Sequence, residues 1–175
     1  MRRIYESGAV DRDEEDPFRP GDRESPRAMR SVSGGSLSRW LVPYWLRFRA
    51  LRLEVATPRS EYAAGERIPF AVTVENTYPI PITVPTLSPL LWRWEVDGAE
   101  EGSRLPRELP DRQGGFEFGR SETKRFTREW PQLFKVSETE WEEAGPGEYT
   151  IGAWLNVDDA EQRGLADAVT VRVTP

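Results

Sequence analysis

The sequence predicts an all-β protein: an immunoglobulin-like antiparallel β-sandwich preceded by a disordered N-terminal tail. Three observations carry this. About eight short apolar-alternating runs lie between Leu51 and Val173, broken by Pro- and Gly-rich stretches. No segment keeps the 3.6-residue apolar period long enough for a long helix. Finally, GPGEYTIGAWLNV (145–157) sets a sharp turn directly ahead of an alternating strand. There Pro146 fixes φ and Gly147 tolerates a positive φ. Tyr149 then stands where a sandwich tyrosine buries its ring and returns its hydroxyl to upstream backbone, the tyrosine corner.

The elements follow in order. Residues 1–37 are rich in Arg, Asp, Glu, Pro, Gly and Ser and hold few large apolar side chains, so they are expected to be disordered. Residues 38–49 form an amphipathic segment. Trp40, Leu41, Tyr44, Trp45 and Phe48 share a helical face, and Pro43 marks the start of any helix. Residues 50–175 are the sandwich. At Leu51 the period changes to two, giving a first strand through Val55. IPFAVTVEN (68–76) is the next, with Pro69 expected at an edge or strand start. IPITVP (80–85) is a proline-edged strand. WRWEV (92–96) puts Trp92 and Trp94 on one face, where both are expected in the core, and Asp97-Gly98 ends it in a turn. Residues 99–115 read as a long polar loop and 116–118 as a short strand. Phe126 and Trp130 share a face of the strand in 121–130. Residues 131–144 read as a second long loop, unusual in carrying Leu133, Phe134, Val136 and Trp141. Tyr149–Val157 and Ala168–Val173 complete the set.

Composition removes many functions. The chain has no Cys and no His. It therefore lacks thiolate nucleophiles, disulfides, histidine triads and the commonest zinc ligands. An enzyme is not expected, nor a cofactor, metal or small-molecule substrate. Residues 53–175 hold 13 basic and 22 acidic residues, so no nucleic-acid footprint is expected. Basic residues are 22 Arg against Lys124 and Lys135 only, a halophile-like balance alongside many acids. The N-terminus has no secretory apolar core, and no run of apolar residues is long enough to span a bilayer. A cytoplasmic location is the expectation.

Chemistry-bearing patterns are few. Ser121-x-x-Lys124 matches a serine–lysine signature, but on a strand the two side chains face opposite ways, so it reads as coincidence. Asp158, Asp159 and Glu161 read as a solvated turn rather than a calcium site. The candidate partner-binding residues fall in two groups. Leu133, Phe134 and Trp141 in the second long loop either tuck beneath it or form an apolar patch for a protein partner. Trp40, Trp45 and Phe48, interleaved with Arg39, Arg47 and Arg49, either pack on the sandwich or dock on a membrane surface.

The runs FAVTVEN (70–76), WRWEVDG (92–98), GRSETKRFTREW (119–130) and GPGEYTIGAWLNV (145–157) resemble, in order and spacing, the BsuPI-type intracellular proteinase inhibitor family over residues 50–173. Where that family has a Ser-Gly-Gln-type segment and an aromatic-Asp-aromatic step, VPTLSPLLWRW (84–94) stands instead. The chain is also similar to haloarchaeal proteins with an Arg-rich, disordered start. The resemblance implies an immunoglobulin-like sandwich that binds a protein, with a cytoplasmic serine protease as the implied partner. It supplies no reactive-site residue. The expected function is non-catalytic binding through the loops at one end, by surface occlusion; the alternative is a peripheral membrane domain docking through 39–49.

Overall fold

The computed structural model describes residues 43–110 and 112–175. The tail predicted for 1–37 lies outside them, as do Trp40 and the side chain of Trp45.

A short helix, α1 (Tyr44–Arg49), starts directly after Pro43, where the fixed φ of proline suits a helix entrance. Ala50 closes it by donating to Leu46 O and Phe48 O, and the chain turns straight into β1 (Leu51–Ala56). The strand shows strict alternation, burying Leu51, Leu53 and Val55 while Arg52, Glu54 and Ala56 face water. Period-two alternation between oil and water is what a half-buried strand requires.

Two sheets face each other. The first orders β1, β3 (Ile68–Asn76) and β8 (Thr123–Trp130), all antiparallel. The second orders β2 (Glu61–Ala63), β12 (Ala166–Thr174), β11 (Gly147–Leu155), β5 (Trp92–Val96) and β6 (Ala99–Glu100). Here β2 runs parallel to β12, and the rest are antiparallel. The protein is thus all-β, an immunoglobulin-like sandwich. The inner faces supply Phe70, Val72 and Val74 from one sheet, and Trp94, Val96, Ile151, Leu155, Val171 and Val173 from the other, all buried. Each such large aliphatic side chain contributes about 1.5–3 kcal/mol by leaving water. Trp94 packs on Phe70 across the interface, ring centroids 4.9 Å apart.

Pro69, expected at an edge or strand start, is the second residue of β3 and so stands at a strand start, although β3 is the middle strand of its sheet. The register explains it: β1 ends opposite Ala71, so at position 69 the strand has a neighbour on the β8 side only. Trp92 and Trp94 do share a face, but only Trp94 is buried; Trp92 is half-covered, between Phe126 and the Arg128 guanidinium.

Three buried amides hold the connections. Asn76 donates to Ile80 O (2.8 Å) and Gly119 O (2.7 Å) and accepts from Tyr78 N (3.1 Å). It ties the end of β3 to the segments that lead into the ribbon of β4 (Ile82–Thr86) and β7 (Gly114–Phe118). Asn156 donates to Ser88 Oγ (2.6 Å) and Leu90 O (3.0 Å), holding the β4–β5 loop against the end of β11. Gln132 accepts from Gly65 N and donates to Ala63 O, both at 2.9 Å, tying the β2–β3 turn to the chain leaving β8. Buried polar groups keep their partners because an orphan costs about 1–3 kcal/mol.

Candidate functional site

The two stretches read as long loops meet at one end of the sandwich and enclose a cleft of about 650 Å³. Ala99, Arg104 and Leu105 line it from one side, Glu142 and Ala144 from the other, with Phe134 and Tyr149 beneath.

Residues 131–144 are not a loop. They contain a hairpin, β9 (Leu133–Lys135) with β10 (Trp141–Glu143). Likewise 99–115 contains β6 and the start of β7. The segment after β6 meets β9 in a single parallel bridge, Ser103 with Lys135: Lys135 N donates to Gly102 O (2.8 Å) and Arg104 N to Lys135 O (2.9 Å). Runs of two or three residues cannot display a period in sequence, which is why these strands read as loop.

The floor, Phe134 and Tyr149, rests on Trp130, and the three rings form an aromatic trio. Trp130 ends β8 fully buried, its indole Nε1 donating to Leu133 O at 3.2 Å. Its ring lies 5.4 Å from Phe134 and 5.0 Å from Tyr149, and Phe134 and Tyr149 lie 6.1 Å apart. The tilted ring planes suit edge-to-face attraction. The Tyr149 hydroxyl donates to Gly145 O at 2.8 Å, the expected tyrosine corner; Gly147 opens β11 without the positive φ that the turn reading invoked. The corner therefore also builds the cleft floor. Between β8 and β9 the chain turns through Gln132, at φ 57°. That left-handed conformation disfavours a side chain with a Cβ, and the two amide bonds of Gln132 offset the strain.

Above the floor, the Arg104 guanidinium lies 5.1 Å from the Phe134 centroid and bonds Glu142 Oε2 at 2.7 Å. The pair spans the cleft from the 99–107 strap to β10. Both side chains are more than half exposed, so the ion pair contributes little stability. Arg107, also lining the cleft, pairs with Glu101 along the strap.

The hairpin separates the first group of candidate residues. Phe134 is 5% exposed and belongs to the floor, Leu133 is half-buried, and Trp141 is 55% exposed with Lys135 Nζ 5.9 Å from its ring. Alternation is the cause, since Phe134 and Leu133 point to opposite faces of β9. They are neither one exposed patch nor one tucked cluster. In the second group, Phe48 is 2% exposed and joins the core, with the Arg163 guanidinium 4.4 Å from its ring. It is no docking aromatic; its face was already claimed by the sandwich. Phe48 also sits by β1 and β4, at the opposite end from the cleft.

At the other patterns, Lys124 Nζ pairs with Glu122 (2.7 Å). Among the described residues no group of three or more His, Cys, Asp or Glu is placed to hold a metal ion. None of their helices is long and apolar enough to cross a membrane. Two residues central to the site, Arg104 and Gln132, drew no notice in the sequence. The Pro131-Gln132 pair after a strand end was a turn signal, but the partners of both residues are set by chain 30 or more positions away.

No curated protein matches this chain. Among solved structures it is similar to the CARDB domain of PF1109 from Pyrococcus furiosus determined by NMR, at 17% identity and a TM-score of 0.44, covering 71% of this chain and 94% of that one. A crystal structure of the same domain in complex with di-metal ions also has 17% identity and a TM-score of 0.44, over 70% and 91% of the two chains. A β-glucosidase from Listeria innocua in complex with laminaribiose matches at 16% identity and a TM-score of 0.43, over 71% of this chain and 16% of the enzyme. The model of a family of unknown function, DUF7974, matches residues 39–174, and the chain belongs to that family.

Proposed function

We propose that this protein is a non-catalytic protein-binding module that engages its partner through the cleft end of the sandwich. The observation that supports it is the cleft itself: two sequence-distant segments converge over an aromatic floor, while the opposite face of the hairpin carries the exposed Trp141. Tryptophan, tyrosine and arginine are over-represented among the residues that dominate protein interfaces, and this end presents Trp141, Tyr149 and Arg104. The mechanism is occlusion, with no bond made or broken. A subtilisin-like serine protease in the cytoplasm is the partner the family resemblance suggests.

The test has two arms. The purified chain is titrated into a subtilisin-like protease, and separately used as bait in native lysate. Binding that is lost in Trp141→Ala and in Arg104→Glu, with the fold intact by circular dichroism, supports the reading. Binding by neither arm, or binding that survives both changes, overturns it.

A further inference from the structure

The free edge of β10 offers a recognition mode. Val136 N donates to Glu140 O (3.1 Å) and Ala144 N to Gln132 O (2.8 Å), flanking β10 on both sides. In an antiparallel ladder, bonded and non-bonded positions alternate. With Glu142 opposite Phe134, the main-chain groups of Glu142 therefore point to β9, and those of Trp141 and Glu143 point away from it. Among the described residues no strand pairs with that second edge. All three residues of β10 are exposed. The edge thus presents two N–H donors and two carbonyl acceptors beside the cleft.

Its charge selects the occupant. Glu138, Glu140, Glu142 and Glu143 crowd this hairpin arm; Arg104, paired with Glu142, and Lys135, beside Trp141, offset two of these charges and leave the arm net negative. Two copies of the arm laid edge to edge would bring like charges together, which blocks self-pairing. A basic segment meets the opposite situation. Trp141 and Glu143, two residues apart, share one face of the strand. On that face Lys135 Nζ already lies 5.9 Å from the Trp141 ring, so the cations of a neighbouring strand meet the Glu143 carboxylate, and their aliphatic stems lie along the exposed indole.

We propose that β10 binds an extended, Lys- or Arg-bearing segment of the partner by strand addition. This rests on the protein-binding reading above and specifies its mode. Two residues of ladder give weak, salt-sensitive binding, which the partner's contacts in the cleft reinforce.

The experiment uses the full chain and a blocked peptide of alternating Lys and Thr as probe, followed by NMR and by Trp fluorescence. Expected are slowed exchange of the Trp141 and Glu143 amides and an affinity that falls with added salt. Glu143→Pro removes one outward donor without touching the β9 ladder. Together with lost charge it weakens binding about tenfold or more. Glu143→Gln keeps the donor and loses less. The same peptide N-methylated at alternate residues also binds at least about tenfold more weakly. If the N-methylated peptide binds as well as the parent, or Glu143→Pro behaves as Glu143→Gln, strand addition is overturned. If the probe fails to bind at all, strand addition is likewise overturned, while protease inhibition or capture through Trp141 and Arg104 still stands or falls on its own arms.

Discussion

Gln132 is the point where the hairpin bearing the cleft is fastened to the sandwich, and its removal has a calculable effect. In Gln132→Ala the backbone stays at φ 57° while two amide hydrogen bonds of 2.9 Å are lost. Each is worth about 1 kcal/mol net. The freed groups, Gly65 N and Ala63 O, belong to exposed residues, so water takes them over and no full orphan penalty follows. The Gln132 side chain is itself only 2% exposed, and emptying its site adds a small packing loss. The total is about 2–3 kcal/mol. Gln132→Gly loses the same bonds but relieves the left-handed strain, offset in part by glycine's unfolded-state entropy, and is expected to be less damaging than alanine. The assay is equilibrium urea unfolding of the full chain, with hydrogen exchange read over residues 133–143. The hairpin amides are expected to open at lower free energy than those of β11. Should Gln132→Ala cost below about 0.5 kcal/mol, or should glycine prove worse than alanine, the account of Gln132 as a strained, bonded fastening is refuted.

Other outcomes follow from the same geometry. Tyr149→Phe removes the bond to Gly145 O and keeps the ring in the trio; a loss of about 0.5–1.5 kcal/mol is expected, and an unchanged urea midpoint would remove the corner role. Phe48→Ala, at a fully packed position, costs about 3–5 kcal/mol in thermal or urea melts, whereas Trp141→Ala, at an exposed one, stays within about 0.5 kcal/mol. Glu95 has its carboxyl held above the ordinary carboxylate value, first by burial and then by the charges of Glu161 and Glu100. A raised folded value means the native state holds the proton more tightly, so this group's contribution grows as pH falls through that value toward the unfolded one, and at neutral pH it disfavours folding. Glu95→Gln is therefore expected to raise the urea midpoint slightly at pH 7 and to flatten that part of the pH profile; a lower midpoint at pH 7 would refute it.

The strands that cross the sandwich were legible because each is long enough to show which face meets the core. Ile68–Asn76 and Gly147–Leu155 are nine residues each with an alternating stretch, and the Pro146-Gly147-x-Tyr149 order points to the corner. Solvent and core act on every residue of such a strand, so the pattern is local. The cleft is different. Strands β6, β9 and β10 are two or three residues long, and their pairing depends on the chain near Gly102 reaching Lys135. Alternation within the β9–β10 hairpin puts Phe134 and Trp141 on opposite faces, and only the docking of that hairpin on Trp130 and Tyr149 decides which face is covered. Phe48 likewise fitted either a bilayer or a core by its spacing, and only the position of α1 against β1 and β4 decided between them. By itself the sequence determined the fold class, the main strands and the absence of histidine and cysteine chemistry, since those follow from residue type and short-range period. Tertiary structure alone decided where the two long segments meet and which edge stays open, because contacts between distant residues leave no period in either partner.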